Sequence, residues 1–143
     1  IARRQRQMCI RDRFFIDQQD KIYVNEIAPR PHNSGHYSLD AALADQFEAQ
    51  VKVLCGFSPP SPHLLSAATM VNLLGDLWPE KGEPDWSCLL QDPNVKLHLY
   101  GKKIARRGRK MGHFTLLSQR EDLHQGEKLR QKAVLLWHKL NKV

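Results

Sequence analysis

The spacing of apolar positions changes several times along the 143-residue chain, and each change marks an element. Phe14-Phe15-Ile16 is a short apolar run, Asp17-Gln18-Gln19-Asp20 is turn-like, and Lys21 to Val24 is β-rich and leads into Asn25-Glu26-Ile27. Two such runs joined by a polar turn predict a hairpin. Ala28 to His36 holds Pro29, Pro31 and Gly35, which excludes regular helix and central strand. Leu39, Ala42, Leu43, Phe47, Val51 and Leu54 then recur at helical spacing, with Ser38 as the expected N-cap and Gly56 as the stop. Pro59-Pro60-Ser61-Pro62 is a stiff connection. Ala67 to Leu74 reads as a buried strand, and Val95 to Tyr100 as an alternating one with Val95, Leu97 and Leu99 on one face. Met111 to Ser118 reads as a further strand, and Glu127 to Leu140 as a closing helix with Leu129, Ala133, Leu136, Trp137 and Leu140 inside. The expected fold class is α+β.

Charge alters this picture by its distribution. The net charge is +7, yet residues 1–13 carry +4 and residues 102–110 carry +6, so the remainder is mildly acidic. That disfavours a broad nucleic-acid-binding face and favours a compact anion site. Residues 1–13 follow no apolar period. They are expected to be a disordered basic leader, or a lead-in foreign to the natural protein. Cys9, Cys55 and Cys88 have no paired spacing, which argues against a disulfide framework or a zinc site and fits a cytoplasmic setting. Cys55 is expected in the core or at its boundary, and Met70, Met111, Trp78, Trp86 and Trp137 as packing residues. No apolar run is long enough to span a membrane.

Two segments concentrate chemistry. Asn25 to His36 packs Glu26, Arg30, His32, His36, Asn25 and Asn33 into twelve residues after a strand. A carboxylate at a strand end suits magnesium, and a guanidinium in a proline-stiffened loop suits a planar anion. The plainer alternative is a Glu26–Arg30 ion pair with histidines serving loop carbonyls. Tyr100 to His113 places six cations around Gly101 and Gly108 between two strands, as a phosphate-holding loop would. Its plainer alternative is a solvated basic loop.

The run Val24 to Ser38 (VNEIAPRPHNSGHYS) resembles the signature loop of the 5-(carboxyamino)imidazole ribonucleotide synthase family. Met70–Asp76 (MVNLLGD), Leu97–Lys102 (LHLYGK) and Arg106–His113 (RRGRKMGH) match that family in the same order, although it usually has proline where Arg107 stands. The resemblance implies the C-terminal end of an ATP-grasp domain over 14–56 and a small β-rich domain with a closing helix over 57–143. It implies ATP- and bicarbonate-dependent carboxylation of 5-aminoimidazole ribonucleotide, with ATP and Mg2+ and a homodimeric full-length form. No nucleic acid or membrane partner is implied.

By the same resemblance Asn25 and Glu26 serve the ATP–magnesium site, with Glu26 as metal ligand. Asn33 orients phosphate or metal-bound water, and Arg30 and His32 line the bicarbonate pocket. Lys102 and Arg109 hold the ribonucleotide phosphate, and Lys102 also reaches the carboxylating centre. One position departs: the family has a second metal glutamate where Arg13 stands. With that residue and the upstream nucleotide cleft missing, the isolated chain is expected to be inactive and to expose apolar surface. A non-catalytic phosphate- or nucleotide-binding module using residues 102–110 is the alternative. A formate-using glycinamide ribonucleotide transformylase fits less well, because the HNSGH run and the LYGK–GRKMGH pair belong to the carboxylating branch.

Overall fold

The computed structural model describes residues 12–27, 30–118 and 126–141, with the backbone alone at 12, 13, 26 and 27. The leader through residue 11, and Ala28 and Pro29 of the signature loop, lie outside the described residues. Strands β1 (Asp12–Ile16) and β2 (Ile22–Ile27) form the expected antiparallel hairpin. The strand begins at Asp12, so the last two residues assigned to the leader belong to β1. Asp17 closes the turn by accepting the amides of Gln19 and Lys21 through Oδ1 at 2.9 Å each.

The single helix expected after Ser38 is two. Helix α1 covers Ser38–Ala41 and α2 covers Gln46–Leu54. Ala42 between them is extended and bridges Leu64, and Asp45 caps α2 by accepting the amides of Phe47 and Glu48. Ser38 is not an N-cap. It is the first residue of α1, donating its hydroxyl to the Gly35 carbonyl and accepting the Gln46 amide. Gly56 ends α2 at φ +80°, as expected. The apolar stripe of this segment faces solvent: Leu43, Phe47, Val51 and Leu54 are exposed, as are Ile22, Tyr23 and Val24 on the hairpin. Cys55 is exposed at the end of α2, against the expectation of a core position, because no described element covers that face.

The main body is a three-stranded antiparallel sheet of order β3-β5-β4, built from β3 (Ala68–Leu74), β4 (Val95–Leu99) and β5 (Lys110–Leu117). Between β3 and β4 lies the single turn α3 (Ser87–Leu90), and α4 (Gly126–Leu140) closes the chain. The strand period of two separates the sheet into faces. Leu73, Phe114 and Leu116, flanked by Val71, Val95 and Leu97, pack with Leu89 and the buried stripe Leu129, Ala133, Leu136 and Leu140 of α4. Trp78 and Trp86 flank this core with ring centroids 5.3 Å apart, a packing role as expected.

The opposite face is polar at its centre. Asn72, His113 and His98 stand side by side across β3, β5 and β4. Buried Met111 and Thr115 lie on the same side of β5. Asp40 of α1 and Asn33 of the signature loop reach this face, so the polar side of the sheet positions that loop.

Candidate functional site

The signature loop is held by reciprocal amide bonds. The Gln46 side chain accepts the His32 amide at 2.8 Å and donates to the His32 carbonyl at 2.9 Å. His32 starts the 3-10 turn Asn33–Gly35, with its Nδ1 2.7 Å from the Ser34 hydroxyl. Asn33 donates to the Asn72 carboxamide oxygen at 2.8 Å and accepts from the Lys110 ammonium at 2.9 Å. Lys102 donates to the Lys110 carbonyl at 2.5 Å, and its ammonium lies 5.3 Å from the Tyr100 ring centre. Asn33 and Lys102, which belong to two separate constellations in the sequence, thus meet at Lys110, while His32 is held one residue away by Gln46 and Ser34. By sequence alone Lys110 is only one of the loop's cations. Its place at the start of β5, where one strand position fixes its direction, is what singles it out.

Other expected residues are not drawn into this group. The Arg109 guanidinium donates to the Ile104 carbonyl at 2.8 Å, inside its own loop. Arg30 is exposed and donates to the Pro31 carbonyl at 3.3 Å. Asn25 is exposed on the hairpin. The Glu26 side chain lies outside the described residues, while its backbone is register partner to Arg13.

The MVNLLGD run anchors the basic loop. Gly75 donates its amide to the Arg109 carbonyl at 2.8 Å, and the Asp76 carboxylate accepts the Gly108 amide at 2.7 Å. Arg107 lies 3.6 Å from Asp76. Along the loop runs an open cleft of about 270 Å³, lined in part by Trp78, Glu83, Leu99, Lys102 and Met111.

Behind Asn33 sits a histidine cluster that the sequence pattern does not assemble. The rings of His98 and His113 stack at 4.6 Å, 14° from parallel, and His36 lies 5.4 Å from His113. Burial, with His98 and His36 close by, pushes His113 down to about 4, so it is neutral near pH 7. Burial also lowers His36, helped by His32, Lys110 and His98, and raises the Tyr100 phenol. The signal available in sequence is alternation: His98 and Tyr100 share a strand face, and so do Met111 and His113.

Residues 13–47 match the ATP-grasp domain, and residues 68–126 match the phosphoribosylaminoimidazole carboxylase C-terminal domain. An N5-carboxyaminoimidazole ribonucleotide synthase of Bacillus subtilis is 42% identical over 112 residues, which are 76% of this chain and 27% of that protein. One from Staphylococcus aureus is 47% identical over 116 residues, 80% of this chain and 29% of that protein. The chain belongs to the N5-carboxyaminoimidazole ribonucleotide synthase family. It spans a little over a quarter of the length of these relatives.

Solved structures of the family agree. The Thermotoga maritima synthetase superposes with TM-score 0.69 at 38% identity, covering 87% of this chain and 35% of that one. The Aspergillus clavatus synthase, solved in complex with ADP and 5-aminoimidazole ribonucleotide, gives TM-score 0.68 at 30% identity over 90% of this chain and 34% of that one. The α+β reading, with an ATP-grasp portion ahead of the family's C-terminal domain, therefore holds. Among the described residues no helix is long and apolar enough to cross a membrane.

Proposed function

We propose that this chain carries part of the site that carboxylates 5-aminoimidazole ribonucleotide to its N5-carboxyamino form, using ATP and bicarbonate. The observation that carries the reading is the junction at Lys110: Asn33 on its ammonium at 2.9 Å and Lys102 on its carbonyl at 2.5 Å. It joins an anion-clamping loop to a phosphate-holding loop, which is what a reaction between a small acid and a phosphorylated acceptor requires.

In this reading bicarbonate oxygen attacks the γ-phosphorus and ADP leaves. The resulting carboxyphosphate gives up carbon dioxide and phosphate. The acceptor's amine forms the new N–C bond and loses one proton. The protein's part is positioning and charge neutralisation. Arg30 clamps the bicarbonate through two parallel hydrogen bonds, with His32 beside it. Lys102 and Arg109 hold the ribonucleotide phosphate, and Lys110 faces the carboxylating centre with Asn33 orienting its ammonium. Asn25 and Glu26 belong to the ATP–magnesium side. Magnesium demands oxygen donors, and a cation at position 13, in register with Glu26, does not fit a two-carboxylate site. No step in this chain runs through the metal. The full-length form is proposed to be a soluble cytoplasmic homodimer.

The test replaces the matching segment of the Staphylococcus aureus relative with residues 14–143. The chimera is expected to release ADP only when aminoimidazole ribonucleotide and bicarbonate are both present. Lys102→Ala should raise KM for the ribonucleotide by about 100-fold, the loss of one charge-assisted clamp. A folded chimera that binds ADP but shows no ribonucleotide-dependent turnover would overturn the reading. It would favour the simple phosphate-binding module at residues 102–110.

A further inference from the structure

We propose that Asp40, His98 and His113 form a binding site for one divalent transition-metal ion of the zinc class, clipping α1 to strands β4 and β5. One ligand atom from each of the three lies within 4.8 Å of the others. His98 and His113 are direct register partners, which puts both imidazoles on one face. Asp40 arrives from α1, its carboxylate oxygen 2.9 Å from His98 Nε2.

The second observation is an orphan. His113 is 1% exposed, and its Nε2 is buried without a hydrogen-bond partner. A buried polar atom left unpaired is costly, and native proteins rarely keep one without a reason. Its other nitrogen, Nδ1, lies 2.8 Å from the Tyr100 hydroxyl. When Nδ1–H donates to that oxygen, Nε2 carries the bare lone pair that a metal needs. A ligand histidine whose second nitrogen is held in this way is the usual arrangement around zinc.

Donor chemistry selects the metal class. Two imidazole nitrogens and one carboxylate oxygen, with a solvent molecule as the fourth ligand, suit zinc, cobalt or nickel. Magnesium and calcium require more oxygens. Tetrahedral zinc with bonds of about 2.05 Å keeps its ligand atoms about 3.3 Å apart. The Asp40–His98 contact would open by a few tenths of an ångström, and the His98 and His113 rings, now stacked 14° from parallel, would turn about their side-chain torsions to aim both lone pairs at the ion. Asp40 and His98 are both only partly buried, which leaves an entry path. The site lies behind Asn33 and does not depend on the carboxylation reading. A metal there would lock the signature loop's helix onto the sheet.

The test titrates the full chain with Co2+, followed by visible absorption, and with Zn2+, followed by thermal unfolding. One Co2+ per chain with tetrahedral absorption is expected, with a rise in Tm on Zn2+ and none on Mg2+. Asp40→Asn and His98→Gln should each weaken binding by about 100-fold, and Tyr100→Phe by about 10-fold as loss of an outer partner. Circular dichroism of the metal-free variants checks folding. If one ligand variant does not fold, the other and Tyr100→Phe decide. No stoichiometric binding, or undiminished binding in the folded variants, would overturn the proposal.

Discussion

A methyl group built at Gly75 would lie 2.2 Å from the Arg106 carbonyl oxygen and 2.7 Å from its amide nitrogen, both backbone atoms. Gly75→Ala must therefore move the basic loop. It should cost about 2 kcal/mol, in the range of overpacking, read as a lower urea midpoint. Gly108→Ala meets open space at φ +69° and should cost only about 1 kcal/mol of backbone strain. Equal losses at the two positions would sink this account. The glycines of the basic loop are visible in the sequence as points of conformational freedom. The need at Gly75 is not, since its partner lies 31 residues further along the chain.

A second prediction at this scale concerns Asp92. The Lys132 ammonium at 2.5 Å, with help from Asn94, holds its carboxyl below the ordinary 3.8. The folded state thus binds the proton more weakly than the unfolded one. The bridge's stability is full above the unfolded value and is lost as pH falls through the lower, folded one. Asp92→Asn should cost about 1 kcal/mol at pH 7 and progressively less as the pH is lowered below the ordinary carboxylate range. A urea midpoint difference that persists at the acid end would contradict it.

At the scale of elements, what the sequence disclosed depended on whether one neighbour covered each face. Helix α4 is legible because a single sheet buries its stripe of Leu129, Ala133, Leu136 and Leu140, although Trp137, also expected inside, is only half-buried and outside the core cluster. The hairpin and the three sheet strands are legible by alternation and turn residues. The break between α1 and α2 is not. Leu39, Leu43, Phe47 and Val51 keep a helical spacing across it, while the cap that starts α2 is the Asp45 side chain. Asp45→Ala should therefore lower stability by about 1 kcal/mol, the usual worth of an N-cap, with no change in the sheet. Chemical denaturation alongside amide exchange of α2 would read it, and unaltered exchange would refute it. The candidate site is legible only as two separate loops. Their meeting at Lys110, and the row of Asn72, His113 and His98, depend on strand register, which one sequence read alone does not fix.

At the scale of the whole molecule the decisive position is 13. The strand pair sets Arg13 against Glu26, at the position where the family resemblance implies a glutamate serving the metal. The residues that follow are well anchored. The loop is tied to the sheet through Asn33, and Gly75 and Asp76 fix the basic loop. A defect confined to one strand end should then be repairable. In the Staphylococcus aureus chimera extended to residues 12–143, Arg13 should hold ATP-dependent turnover on the order of 100-fold below that of the Arg13→Glu version, as expected when one electrostatic stabiliser is lost. The ribonucleotide's KM should stay the same in both, because Lys102 and Arg109, proposed above to hold its phosphate, lie on the other loop. Magnesium dependence should also separate the two, with the arginine form needing far more Mg2+ to reach its own maximum. Equal turnover would mean that a cation at position 13 is tolerated and that Glu26 carries the metal alone. A matching rise in KM for the ribonucleotide would mean instead that the hairpin, and not its charge, shapes the acceptor pocket.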